Sequence, residues 1–124
     1  MRPPPRESIV ERQPAPGLYG EERAALNDEL LRLSPNDVAA IKTLAELREA
    51  LGDTAGVLRA LRRQVDVAAD RAERLLLLRR MAQLSATRPE LAEDLRFACR
   101  GLLSELPSDR DALRRLAEAQ ERLG

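Results

Sequence analysis

Apolar positions recur every three or four residues from Glu21 to the end of the chain, with polar residues between them. This spacing places the apolar side chains along one side of a helix, and no stretch shows the strict alternation typical of a half-buried strand. Turn-forming residues, including Pro, Gly and Asp, interrupt the pattern. We therefore predict an all-α fold with helices at roughly 21–33, 37–51, 54–69, 71–85, 88–105 and 109–123, each an antiparallel neighbour of the next because the connections are short.

Residues at the predicted helix ends carry local turn and capping signals. Gly52 follows the second helix, where a left-handed residue commonly ends a helix, and Asp53 is placed to cap the third. Thr87 stands three residues before a glutamate, which is the spacing of a capping box, and Pro89 lies in the first turn, where its missing N–H does no harm. Ser108 is the predicted cap of the sixth helix.

The chain matches itself when it is shifted by 72 positions. Pro35 falls on Pro107 and Asp37 falls on Asp109, so the match includes turn residues as well as common apolar ones. A middle copy is visible in Leu78, Met81 and Ala82, so that helix-opening segments begin roughly 36 residues apart, a period typical of stacked helix pairs. The shift also places Ile41 on Leu113, Leu44 on Leu116, Ala45 on Ala117, and Leu51-Gly52 on Leu123-Gly124.

The segment from Ala40 to Asp53 resembles the first helix and turn of a tetratricopeptide repeat. The matching features are the large-small pair Leu44-Ala45, the turn Gly52-Asp53, and the closing prolines Pro35 and Pro107. The resemblance implies a degenerate repeat array over residues 18–124, with full repeats at about 38–69 and 75–106 and partial repeats at both ends. It also implies an α-solenoid that winds as a right-handed superhelix.

Within such an array, small residues should stand where paired helices approach closely, and large residues should fill the space between them. The predicted small positions are Ala45, Ala82 and Ala117, and the predicted large positions are Leu44, Met81 and Leu116. Lys42 is the one lysine among 21 basic residues, an arginine bias that is typical of proteins from GC-rich bacterial genomes. We therefore interpret the repeat as one of bacterial type.

Residues 1–17 hold five of the eight prolines and little that could be buried. We predict a disordered or polyproline II tail for this segment. Two alternatives stay open. The segment could be a Pro-rich ligand for an aromatic groove on another protein, or apolar residues in and beside it could pack against the first helix. Those residues are Ile9, Val10, Leu18 and Tyr19.

Composition narrows the possible chemistry. Lys plus Arg and Asp plus Glu each total 21, and a net charge of zero argues against nucleic acid or an anionic membrane as a partner. The chain has no His and a single Cys, so the commonest general base, the commonest metal ligand and a disulfide are missing. We interpret Cys99 as a small buried hydrophobe. We expect a cytoplasmic protein that is not an enzyme and needs no cofactor or metal.

The resemblance places one face of the first helices on a concave groove that binds peptides. The residues that follow the Ile41, Leu78 and Leu113 layer are all basic, and carboxylates stand mostly one turn later, which predicts a groove for a peptide with at least one carboxylate. An alternative is that oppositely charged residues four positions apart only neutralise each other on an exposed helix. The predicted groove residues are Lys42, Glu46, Glu49, Arg79, Gln83, Arg114 and Glu118.

A run of leucines from Leu75 to Leu78 offers a second candidate surface, because four consecutive side chains cannot all face one seam. Leu76 or Leu77 would then meet the groove or a partner, unless a neighbouring helix buries them.

The sequence thus favours a non-catalytic scaffold that binds a protein or peptide in the groove. A helical regulatory or sensor domain of a larger bacterial signalling or transcription protein is the alternative. A third possibility is an antiparallel bundle that serves self-association. We expect a monomer or a weak homo-oligomer formed through the open repeat ends.

Overall fold

The structure is a computed structural model that describes residues 16–124, and within that range it is all-α. Six helices occur in the predicted order, together with one short 3-10 helix. Their bounds are α1 Pro16–Leu33, α2 Val38–Ala50, α3 Thr54–Val67, α4 Arg71–Ala86, the 3-10 helix Pro89–Leu91, α5 Ala92–Glu105 and α6 Arg110–Leu123. The prediction of six helices is confirmed.

The first helix begins earlier than its hydrophobic pattern indicates. α1 starts at Pro16 rather than near Glu21, and Pro suits the first helical position because its missing N–H would have no partner there. The predicted tail therefore overlaps α1 by two residues. The rest of that prediction, including the packing proposed for Ile9 and Val10, lies outside the described residues.

The turn between α2 and α3 forms as the sequence indicates. Gly52 has a φ of 74°, and Asp53 Oδ1 accepts a hydrogen bond of 2.9 Å from the backbone N–H of Gly56. The repeat is visible in two other caps, where Asp37 accepts from Ala40 N–H at 3.0 Å and its counterpart Asp109 accepts from the corresponding amide. Equivalent aspartates thus start α2 and α6 by the same hydrogen bond.

Two predicted caps are wrong. The hydroxyl of Thr87 donates to the Leu84 carbonyl at 3.3 Å instead of capping a following helix. Pro89 keeps Arg88 extended, so the chain leaves α4 and makes a 3-10 turn before α5 begins. At the last turn it is Asp109, not Ser108, that caps α6, since Asp109 directly precedes the first helical residue.

Each helix packs on the next one along the chain, and the buried side chains form two clusters. The smaller cluster joins α1, α2 and one face of α3, where Ala60 contributes. The larger cluster joins the other side of α3, through Val57 and Leu58, to α4, α5 and α6. Consecutive packing of amphipathic helices therefore accounts for the whole described core.

The layer of large and small residues forms in two helices and fails in the third. Leu44, Met81, Ala45 and Ala82 are buried, as predicted, and Leu116 is half-buried against the larger cluster. Ala117 is exposed, which contradicts its predicted place in a close helix contact, and Leu113 is 49% exposed although its repeat counterpart Ile41 is buried. The physical reason is that α6 packs extensively only on α5 within residues 16–124, so one side of α6 is left uncovered.

Candidate functional site

The even-numbered helices α2, α4 and α6 each present one basic residue at the corresponding surface position. These basic residues, Lys42, Arg79 and Arg114, directly follow Ile41, Leu78 and Leu113, and all three are exposed. We call these three residues the basic row. Their exposure leaves all three side chains accessible from solvent.

A second row lies one turn further along the same three helices. Glu46, Gln83 and Glu118 each stand four residues after a member of the basic row, and all three are exposed. Residues four apart on a helix lie on the same face, so the two rows share one surface on each helix. Glu49, the last predicted site residue, is also exposed and lies on α2.

Arg79 connects α4 to the start of α6. Its guanidinium donates to Asp109 Oδ2 at 2.9 Å, while the other oxygen of that carboxylate caps α6 through Ala112 N–H. The hydrogen bond from Ala112 N–H and the adjacent guanidinium hold the pKa of Asp109 below its ordinary value. One carboxylate thus fixes both the beginning of α6 and the position of a basic-row side chain.

The other two members of the basic row differ in their pairing. Arg114 pairs with Asp111 on its own helix, and that carboxylate also forms an ion pair with Arg115, whose Nε lies 3.1 Å from Asp111 Oδ2. Lys42 makes no ion pair within residues 16–124. Neither Lys42 nor Arg114 pairs with the glutamate four residues later in the described structure, and Arg114 is neutralised by Asp111 on its own helix instead.

A pocket of about 120 Å³ lies between α2 and α4. Lys42, Glu46 and Glu49 line it from α2, and Leu77 and Arg80 line it from α4. The Arg80 guanidinium pairs with the Glu49 carboxylate across the gap between the two helices. The structure thus brings three predicted site residues together at one pocket, whereas Arg79 and Arg114 lie outside its lining.

Sequence reasoning missed Arg80 and overlooked a surface on the odd-numbered helices. The internal repeat pointed to the neighbouring residue, Arg79. The one sequence signal for Arg80 is that it directly precedes the buried Met81. On the other surface, Arg62 lies over the ring of Phe97 with 3.8 Å between the guanidinium carbon and the ring centroid. Phe97 is the single phenylalanine of the chain, which was the one available signal for this contact.

The leucine run divides as predicted between buried and exposed positions. Leu78 is buried, Leu77 is half-buried at the pocket, and Leu76 is 70% exposed on α4. Leu76 stands three residues before Arg79, so an apolar side chain lies beside the basic row. This combination is suited to a ligand that has both charged and apolar groups.

The titratable groups of the described chain show charge pairing and burial. Burial raises the pKa of the Cys99 thiol to about 11, so it is a neutral, enclosed group at physiological pH. Arg71 and Arg74 hold the pKa of Glu105 below its ordinary value. Within residues 16–124, no group of three or more His, Cys, Asp or Glu side chains is arranged to hold a metal ion.

None of the helices within the described range combines the length and apolar character needed to cross a bilayer. A scan of the chain against protein-family models finds no match. A search of curated proteins likewise finds no similar one. Residues 16–124 thus form an all-helical domain of six sequentially packed helices, with an exposed basic row on the even-numbered helices.

Proposed function

We propose that this chain is a non-catalytic binding module of the tetratricopeptide type, and that the face formed by α2, α4 and α6 binds an acidic peptide. The observation that carries the proposal is the exposure of Lys42, Arg79 and Arg114 at corresponding positions of three helices. Cationic side chains that hold their donors toward solvent are suited to binding carboxylates by charge-assisted hydrogen bonds.

The three cations contribute unequally. Arg79 and Arg114 already pair with Asp109 and Asp111, so a ligand carboxylate that binds them replaces an existing partner. An exposed ion pair is worth about 0.2–1 kcal/mol, so such an exchange adds little to affinity. Lys42 makes no ion pair in the described chain, and it therefore gives the largest gain per residue.

The pocket beside Lys42 defines the rest of the ligand. Glu46 and Glu49 place two carboxylates at its rim, and Leu77 adds an apolar wall. A peptide that gives an acidic residue to Lys42 and a basic or small apolar residue to the pocket matches both features. The exposed Leu76 nearby supports an additional apolar contact.

Selection from a random peptide library on the wild-type chain tests this proposal. We expect enrichment of Asp or Glu, and weaker binding of the selected peptides at high salt. The variant Lys42→Glu/Arg79→Glu/Arg114→Glu should bind them at least about tenfold more weakly, because each reversal replaces an attraction with a repulsion.

A matched control reverses three exposed arginines on the odd-numbered helices. The variant Arg59→Glu/Arg63→Glu/Arg100→Glu changes the net charge by the same amount and leaves the basic row intact. It should keep the wild-type affinity for the selected peptides. If both variants lose affinity equally, only net charge matters, and if neither loses affinity, the basic row is not the binding site.

A further inference from the structure

Exposed leucines concentrate on the two terminal helices of the described structure. Leu26 on α1 is 69% exposed, and Leu30 and Leu33 lie on the same side of that helix at the spacing of one helical face. Leu113 and Leu123 are exposed on α6. Single exposed leucines are ordinary, but a row of them along one helix marks a surface that fits a partner.

We call the side of α1 that carries Leu26, Leu30 and Leu33 its open face. The internal repeat shows which packed surface elsewhere in the chain corresponds to it. The shift of 72 positions places Leu26 on Ala98 and Leu30 on Leu102, which are both buried on α5. Gly101 lies on the same face of α5, and a Cβ at Gly101 would stand 2.9 Å from Leu78 Cδ1 on α4. The counterpart of the open α1 face therefore packs on the preceding even-numbered helix.

The same comparison identifies the open face of α6. Leu113 and Ala117 correspond to Ile41 and Ala45, which are buried in the cluster that Ala60 of α3 joins. Ala112, Leu116 and Ala119 form the side of α6 that packs into the larger cluster. The open face of α6 thus corresponds to a face of α2 that is buried in the smaller cluster.

The two open faces belong to the two types of helix that pack on each other within the chain. Within the described chain, every extensive helix contact joins consecutive helices, so an even-numbered helix always packs on an odd-numbered one. The contact from an even-numbered helix to the next odd-numbered helix occurs twice, between α2 and α3 and between α4 and α5. Placing α1 of a second copy after α6 would make this contact a third time.

We propose that two copies of this chain associate head to tail, with the open face of α6 in one copy packed on the open face of α1 in the other. The interface is formed by Leu113 and Ala117 on one side and by Leu26, Leu30 and Leu33 on the other. Because the two faces differ, each copy keeps one free face, and association can continue beyond a dimer.

The same comparison shows that the contact is weak. The position that corresponds to Gly101 of α5 is Glu29 in α1, and a glutamate cannot allow the close approach that glycine allows Leu78. Association should therefore develop only at high protein concentration.

Sedimentation velocity of the 124-residue chain, from about 10 µM to about 1 mM, tests the proposal. The mean mass should rise with concentration past that of a dimer. Leu26→Glu and Leu113→Glu each block one face, so each variant alone should remain monomeric. An equal mixture of the two should form a heterodimer that grows no further, because each variant supplies the face that the other lacks.

Leu76→Glu is the control, since Leu76 is at least as exposed as Leu26 and Leu113 but lies on α4, away from both open faces. It should associate as the wild type does, and circular dichroism should show the same helix content in all variants. A monomeric wild type throughout, or self-association of either blocked variant, would overturn the proposal. Association that appears only after removal of residues 1–15 would show that this segment, and not a second copy, covers an open face.

Discussion

Asp109 joins two stabilising interactions in one side chain, and the two can be separated by substitution. One oxygen accepts from Ala112 N–H at 3.1 Å and caps α6, and the other accepts from Arg79 at 2.9 Å. Asp109→Asn keeps a good capping side chain and removes the charge, whereas Asp109→Ala removes both interactions. Asp37 is the matched control, because it caps α2 in the same way and has no ion pair in the described structure.

The magnitudes follow from the geometry. Loss of an N-terminal cap costs about 0.5–2 kcal/mol. The carboxylate of Asp109 is 13% exposed and the Arg79 side chain is 44% exposed, so their ion pair is worth no more than about 1 kcal/mol. Asp109→Asn should therefore lower the free energy of unfolding by about 0.2–1 kcal/mol, and Asp109→Ala by about 1–3 kcal/mol. Asp37→Asn should be nearly neutral.

Urea titrations monitored by circular dichroism measure these differences in the free energy of unfolding. They are made at low salt and again in about 1 M NaCl, where screening of the ion pair should remove the cost of Asp109→Asn. The folded-state pKa of Asp109 is lowered, so its contribution is present above its unfolded pKa of about 3.9 and is lost as the pH falls through the folded value. An Asp109→Asn variant should lack that acid-induced loss. A double-mutant cycle with Arg79→Met that gives no coupling would refute the ion pair.

Three further measurements test the core and the turns. Met81→Ala should cost about 2–5 kcal/mol in denaturant titrations because Met81 is fully enclosed, whereas Leu76→Ala should change stability by less than about 0.5 kcal/mol, and equal costs would contradict the assigned core. Gly52→Ala should cost about 1–2 kcal/mol because Gly52 has a φ of 74°, and Gly52→Asn should cost less in the same titrations. Since the pKa of Cys99 is raised to about 11, its contribution is complete below its unfolded pKa of about 8.5 and falls by at most about 3 kcal/mol as the pH rises toward 11. Thermal melts of Cys99→Ala should lack this alkaline loss, and identical pH profiles would exclude burial of the thiol as its cause.

The number of helices and the turn at Gly52 could be predicted because their causes are local. Helical periodicity and a left-handed glycine act within a few residues, and both are readable without knowing the neighbours. The choice between Ser108 and Asp109 as a cap was not readable from residue type, since both side chains cap well. The repeat contained the answer, because Asp109 corresponds to Asp37.

The site and the terminal faces depend on neighbouring helices, so the pattern alone predicted them less well. Leu113 has the same periodic position as Ile41, yet it is exposed because no described helix covers that side of α6. Arg79 and Arg80 are adjacent in sequence, and the rotation of α4 decides that Arg80 reaches the pocket while Arg79 reaches Asp109. The rotation of a helix about its axis depends on the helices packed against it, and it cannot be read from the spacing of apolar residues along the chain.

The division of the core into two clusters has a consequence for ligand binding. The buried apolar side chains of α2 belong to the smaller cluster and those of α4 belong to the larger one. A peptide that contacts both helices binds only while both clusters are folded, so its binding free energy adds to the stability of whichever cluster opens first. If the two clusters unfold at different temperatures without ligand, saturation with such a peptide should make them unfold together, so that the ligand sets how cooperatively the molecule unfolds.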